Sequence, residues 1–363
     1  MKIDLIAGAR PNFMKIAPII DAIQASRAKG NNISYRLVHT GQHYDKNMSE
    51  SFFDQLGIPH PDVNFNAGGG TQAEQTAAIM IAYERLLQKE KSDLCVVVGD
   101  VTSTMACSIV ARKMLVPVAH VEAGIRSGDW SMPEEINRIV TDSITNYFFT
   151  TSETANENLR KSGVGENQIF FVGNTMIDTL LKHRHRFIKP FIWDKAELLS
   201  GNYLVITLHR PANVDEDSNL QAVLNEIVKN SYNLPLIFPV HPRTAKVLSH
   251  LSISHPKLYF IEPLGYLEFN YLVERAKAVI TDSGGITEET TVLGIPCMTL
   301  RNNTERPETI NIGTNELLGT NPKAIKPALE KLFSGNWKKG EIPDLWDGKA
   351  SERIVDHLLK ILN

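Results

Sequence analysis

Residues 94–129 read LCVVVGDVTSTMACSIVARKMLVPVAHVEAGIRSGD, and their reading decides the fold. Leu94–Val98 is an apolar run of strand length, ended by Gly99-Asp100. Thr102–Met114 carries a helical pattern, and Pro117–Val121 is a second apolar run. Strands that are apolar on both faces, separated by a helix, belong to a parallel sheet covered on both sides.

The same alternation extends outward in both directions. Strands are expected at Ile3–Ala7, Ser34–Thr40, Tyr147–Thr150 and Ile169–Val172, with helices near Lys15–Ala28, Gln72–Leu87, Glu134–Thr145 and Thr154–Lys161. Asn174–Arg186 reads as a helix, followed by Lys189-Pro190 and a polar stretch to Asn202. The series then restarts with strands at Tyr203–Thr207, Pro235–Pro239, Leu258–Ile261, Ala278–Thr281 and Pro296–Thr299. The fold class is therefore α/β, with two Rossmann-like, doubly wound domains facing a central cleft. The expected boundaries are 1–175 and 176–349, with an amphipathic last helix at about 350–363 packing back on the first domain.

The 363 residues carry a formal net charge of −3, which gives no basic footprint for nucleic acid. No apolar run approaches the about 18 residues of a membrane span. Cys95, Cys107 and Cys297 sit in apolar runs without metal-ligand spacing, so they read as small buried hydrophobes in a reducing cytoplasm. No metal and no cofactor are expected.

In open α/β sheets ligands bind beyond the carboxyl ends of the strands. After the first strand come Gly8, Arg10 and Lys15, two cations beside a tight turn. After the second come Gln42 and His43, read as polar cleft contacts. Gly68–Ala73 matches G-x-G-x-x-A, but it follows Pro61–Asn66, a poor buried strand, and reads as a flexible loop before a helix. Asp100 follows the third strand. Either it or Thr102 can cap the next helix, and the alternative is a catalytic carboxylate. Glu122 follows the fourth strand, and Pro133-Glu134-Glu135 opens a helix carrying Arg138. Three acids converging on one mouth exceed what solvation needs, and acids held close push their pKa values apart. In the second half, His209 and His241 follow strands. Ser283-Gly284-Gly285 opens a helix as an anion cradle, with Glu289 one turn on to accept from ribose hydroxyls, and Arg306 adds a further cation.

GARPNFMKIAP, HTGQH, GDVTSTMA, HVEAGIRSGD, MPEEINR, VGNTMID, PVHPR, TDSGGITEE and TERPE occur in this order along nearly the whole chain. Taken together they resemble the non-hydrolysing UDP-N-acetylglucosamine 2-epimerases. That resemblance implies a GT-B fold, a UDP-sugar substrate, no metal or redox cofactor, and a homodimer. It places acid/base carboxylates at Asp100, Glu122 and Glu134, and cleft cations at Arg10, Lys15 and Arg138. Diphosphate contacts fall at His209, Ser283 and Gly284, with His209 counted in the catalytic set because it meets the leaving UDP. The ribose carboxylate falls at Glu289 and a nucleotide-side arginine at Arg306.

The implied reaction is elimination of UDP to 2-acetamidoglucal and re-addition, with proton removal and return on opposite faces of C2 by two differently placed groups. Three alternatives stand beside it: a 2-epimerase of a UDP-2,3-diacetamido-uronic acid sugar, a hydrolysing epimerase, and a GT-B glycosyltransferase. The segment from His39 to Asp62 and the Gly68–Gly70 loop lie closer to the diacetamido-uronate branch, whereas TERPE favours plain N-acetylglucosamine. The chain has Asn12 where many relatives have glutamate, and Pro211 where many have a second arginine.

Overall fold

The computed structural model describes residues 1–41, 53, 55–240, 242–248, 251, 253 and 255–361, and gives Arg10, Pro242 and Arg243 as backbone only. The chain divides into two compact units. The first is Met1–Lys182 with Asp344–Asn363, and the second is His183–Pro343.

The first unit holds a parallel sheet of β1 (Lys2–Ala7), β2 (Ser34–His39), β3 (Val63–Asn64), β4 (Leu94–Val98), β5 (Val118–Val121), β6 (Tyr147–Thr150) and β7 (Ile169–Phe171). Its spatial order is β3-β2-β1-β4-β5-β6-β7. The order reverses between β1 and β4, the switch point at which doubly wound sheets bind ligands. The second unit repeats the plan with β8 (Leu204–Thr207), β9 (Leu236–Pro239), β10 (Leu258–Ile261), β11 (Ala278–Thr281), β12 (Cys297–Thr299) and β13 (Asn315–Leu317), ordered β10-β9-β8-β11-β12-β13. Its switch point lies between β8 and β11. Both units are thus the expected doubly wound α/β sheets of a GT-B-type chain.

Two strands depart from the sequence reading. Val63–Asn64, in a stretch read as a poor buried strand, pairs in parallel with Val38–His39. Asn315–Leu317, also unexpected, pairs with Cys297–Thr299. Both stand at sheet edges and are only partly buried, so neither needs an apolar run. The polar stretch after Lys189 contains a short helix, Phe191–Lys195.

Central strands fill the cores. Leu94–Val98 is buried throughout, and Ile6, Val97 and Val118 pack with Tyr83 and Ala106 from the covering helices. Asp4 is fully buried in β1. Arg36 donates to both its oxygens at 2.8 and 2.9 Å, and the Tyr83 and Ser92 hydroxyls donate to it at 3.0 and 2.9 Å. A buried carboxylate survives only with this degree of satisfaction. All three cysteines are buried and free, and burial pushes the Cys297 thiol up to about 12.

The last helix, Ala350–Ile361, packs on the helix Arg10–Ala28. The Asp178 carboxylate accepts from its first N–H groups, Ala350 at 3.1 Å and Ser351 at 2.7 Å, satisfying donors that a helix start leaves unpaired. Just before it, the buried Trp346 donates from Nε1 to the Thr151 carbonyl at 2.9 Å.

Candidate active site

In the first unit β4 and β5 are in register at Val98 and Val121. Asp100 stands two residues beyond one and Glu122 one residue beyond the other, so the sheet brings the two acids to adjacent strand ends. Neither Asp100 nor Thr102 caps the following helix. The cap position is Val101, and no side chain supplies the bond. Asp100 is therefore not consumed by local structure. Arg138 donates to Asp100 Oδ2, and Asn137 Nδ2 donates to the Asp100 carbonyl at 2.8 Å.

Glu122 is 4% exposed and has a left-handed backbone, φ 69°. A non-glycine residue in that region costs on the order of 1 kcal/mol or more and persists where its surroundings over-determine it. Lys15 Nζ donates to Glu122 Oε2 at 2.6 Å. Gly99 (φ 68°) lies flush against this pair. A Cβ there would stand 3.4 Å from Lys15 Nζ and 3.6 Å from Glu122 Oε2, so glycine keeps the floor open.

Asn12 joins the β1 turn to β4. Its Oδ1 accepts from Gly8 N at 3.2 Å and Ala9 N at 3.1 Å, while Nδ2 donates to the Val98 carbonyl at 2.9 Å. An ionised glutamate could accept but not donate, which gives a physical sense to asparagine at this position.

Glu134 and Glu135 differ in role. Glu135 is buried and accepts from Ser127 N at 2.9 Å, Gly128 N at 3.0 Å and Arg138 at 2.8 Å. Burial opposes its charge, but these donors outweigh burial and hold its pKa below the ordinary value. It shapes the loop and steadies Arg138. Glu134 is half-buried and forms no hydrogen bond or ion pair among the described residues.

The second unit shows a parallel arrangement at its own switch point. β8 and β11 are in register at Thr207 and Thr281, which sets His209 near Asp282. Asp282 is fully buried. It accepts from His209 Nδ1 at 2.9 Å, from the N–H groups of His209 and Arg210, and from Asn213 Nδ2 at 3.0 Å. Burial works against its charge, yet His209 and Asn213 more than offset it, and its pKa lies below the ordinary carboxylate value. His209 Nδ1 is thus directed at the carboxylate, and the residue is exposed.

Ser283 occupies the cap position of the helix Gly284–Leu293, but its hydroxyl makes no capping bond. The turn therefore presents N–H groups and a hydroxyl at a helix start, as an anion would require. Glu289 is buried in the same helix. Burial, and the neighbouring Glu288, push it up to about 7 against the Tyr266 and Asn270 side chains that favour its charge. Arg306 pairs with Glu288 and is itself buried.

The first unit thus joins Asp100 and Glu122 with Lys15 and Arg138; in the second, Asp282 ties His209 to the helix start at Ser283, and Arg306 pairs with Glu288, the neighbour of Glu289 in that helix. Gln42 and His241 lie outside the described residues, as does the Arg10 side chain. Sequence reasoning passed over His120, Asp142, Asp282 and Tyr266. The first and third stand at strand ends beside expected site residues, a signal that could have marked them.

The UDP-N-acetylglucosamine 2-epimerase family matches residues 25–359. The chain is 42% identical over 369 residues to the UDP-N-acetylglucosamine 2-epimerase of Methanocaldococcus jannaschii, spanning 98% of each chain. The crystal structure of the M. jannaschii UDP-GlcNAc 2-epimerase in complex with UDP-GlcNAc and UDP matches with a TM-score of 0.87, covering 99% of this chain and 100% of that one. The chain is also 37% identical over 365 residues to the UDP-2,3-diacetamido-2,3-dideoxy-D-glucuronate 2-epimerase of Pseudomonas aeruginosa, with 99% and 100% covered.

Proposed function

Because this chain belongs to the UDP-N-acetylglucosamine 2-epimerase family, we propose that it interconverts UDP-N-acetylglucosamine and UDP-N-acetylmannosamine without net hydrolysis. The observation that carries the reading is the pair of cation-bound carboxylates, Asp100 with Arg138 and Glu122 with Lys15, on neighbouring strand ends. A binding module has no use for two such acids.

The C2 proton of the sugar is hardly acidic while C1 keeps its bond to UDP. Breaking C1–O first gives C1 oxocarbenium character, which acidifies that proton. Loss of the proton yields 2-acetamidoglucal and UDP. Re-addition of UDP with a proton delivered from the other face gives the epimer, so two separately placed acid/base groups are needed. Asp100, Glu122 and Glu134 are the candidates. Lys15 and Arg138 hold their partners in place. The departing diphosphate gains charge, which His209, the Ser283–Gly285 turn, Arg306 and Arg10 would stabilise. Glu289 would receive the ribose hydroxyls, and Gln42 and His241 complete the proposed contacts. The protein works as a cytoplasmic homodimer in this reading. The helix Gln72–Lys89 offers Ala73, Ala77 and Ile81, all exposed at helical spacing, as a face for a second copy.

A second substrate has specific support. The Pseudomonas relative aligns end to end and acts on a diacetamido-uronate nucleotide.

Incubation with UDP-N-acetylglucosamine in deuterated water, followed by proton NMR, tests the proposal. Deuterium at C2 with UDP still attached is the expected result. Free sugar and UDP would indicate hydrolysis. No exchange would rule out this substrate and send the diacetamido-uronate nucleotide into the same assay.

A further inference from the structure

We infer that His120 is a positioning residue held as an imidazolium, a buried cation that locks together the two strand ends bearing Asp100 and Glu122. The ring lies in β5 and is fully buried. Its Nδ1 is 2.7 Å from Asp142 Oδ1, and its Nε2 is 2.8 Å from the Gly99 carbonyl oxygen. An ionised carboxylate and a carbonyl can only accept, so the ring satisfies both by donating from both nitrogens. A neutral ring would leave one nitrogen lone pair facing an oxygen lone pair in a site without water-sized exposure.

Asp142 is equipped to hold that charge. Its Oδ2 accepts from Gly124 N at 3.1 Å and from Arg126 at 2.6 Å. Burial alone would raise its pKa, but His120 and then Arg126 outweigh it and hold the carboxylate below its ordinary value. The charged groups around the ring are therefore Asp142 from the helix Pro133–Ile144, Arg126 from the loop before it, and the Lys15–Glu122 and Arg138–Asp100 pairs at the strand ends. From β6 the residue in register is Phe148, which carries no charge.

The contacts explain what is positioned. The Gly99 carbonyl belongs to the peptide that leads into Asp100. The Gly124 N–H closes the turn that Glu122 opens. Gly99, Glu122 and Gly124 all have left-handed backbones, at φ 68°, 69° and 77°. Glycine adopts such a backbone freely and glutamate does not, so bonds on either side of Glu122 fix its turn. His120 supplies one directly to Gly99, and one through Asp142 to Gly124.

The inference rests on the proposed roles of Asp100 and Glu122, but its first test does not. In the full-length protein labelled with nitrogen-15 histidine, both His120 ring nitrogens should resonate as protonated at pH 7.5, assigned by their loss in His120→Gln. A single protonated nitrogen would overturn the inference, whether or not the protein turns over any substrate. In kinetics, His120→Gln should lower kcat by at least about tenfold with KM within about twofold, since the UDP contacts lie elsewhere. Wild-type kcat in a folded variant would equally overturn it. Should His120→Gln fail to fold, Asp142→Asn takes its place. That variant is expected to leave His120 with one proton and to show the same kcat loss, and a ring still doubly protonated there would refute the pairing. Absence of C2 exchange in the wild type, with a doubly protonated ring, would instead count against the proposed function alone.

Discussion

Lowering the pH from 8 to 6 should weaken binding of UDP-N-acetylglucosamine about tenfold, and Glu289 should be the cause. Glu289 is 4% exposed, and burial is the largest influence on its carboxyl, pushing it up to about 7. Ribose hydroxyls donate hydrogen bonds, so they favour the ionised carboxylate, which has the most acceptor positions. Binding at low pH must therefore expel a proton. At pH 8 the free site is mostly ionised, and at pH 6 it is mostly protonated. One unit of pH below the group's pKa costs about 1.4 kcal/mol, a factor of about ten in affinity. The measurement is calorimetric titration of the Glu122→Gln variant, chosen to prevent turnover. The sugar nucleotide's diphosphate is a diester and does not titrate in this window, so any slope belongs to the protein. Heats measured in buffers of different ionisation enthalpy should show a proton released at pH 6 and little released at pH 8. Adding Glu289→Gln should flatten the profile. A flat profile with Glu289 present, or an unchanged slope without it, would refute the reasoning.

The same group fixes a sign for stability. Its folded pKa is raised from 4.5 to about 7, so its contribution is fully present below 4.5 and is lost as pH rises through about 7. Across that interval the loss is on the order of 3 kcal/mol. The ligand-free Glu289→Gln variant should therefore melt higher than the wild type at pH 8, while binding the nucleotide less well.

Asp100→Asn or Glu122→Gln should reduce C2 deuterium exchange by at least about a hundredfold while UDP affinity, by calorimetry, stays within a few-fold. Lost UDP binding would show that these residues are misassigned. Gly173→Ala should destabilise the first unit by about 3 kcal/mol or more in urea titrations. Its Cβ would lie 2.0 Å from the Leu345 carbonyl oxygen at a φ of 93°, whereas Gly201→Ala (φ 75°, open space) should cost only about 1 kcal/mol. In light scattering the 40.5 kDa chain should run at twice its mass, and Ala77→Glu with Ile81→Glu should run as a monomer. A wild-type mass of one chain would remove the homodimer.

Why some of this was legible in the sequence and some was not comes down to what each element must bury. Leu94–Val98 is buried on both faces and cannot avoid being an apolar run. Val63–Asn64 and Asn315–Leu317 are edge strands with partly exposed residues, and nothing obliges them to look like strands. The positions of Asp100 and Glu122 could be read because the carboxyl end of a strand is visible in sequence. Their partners could not, because partnership depends on which strands are neighbours. Asp282 meets His209 only because β11 lies beside β8, and His120 meets Gly99 only because β5 lies beside β4. Glu122 marks a further limit. A left-handed backbone advertises itself when the residue is glycine, as at Gly99 and Gly124, but a glutamate there carries no such sign. The strain has to be inferred from the bonds that hold it, which is why His120 and Asp142 emerge from the structure and not from the motif in which His120 stands. Glu289 is the converse case. Its place in the helix was readable, but its raised pKa comes from burial and then from Glu288, opposed by Tyr266 and Asn270, which arrive from a different helix. In both units, then, sequence locates the acid, and the packing of distant elements decides what surrounds it.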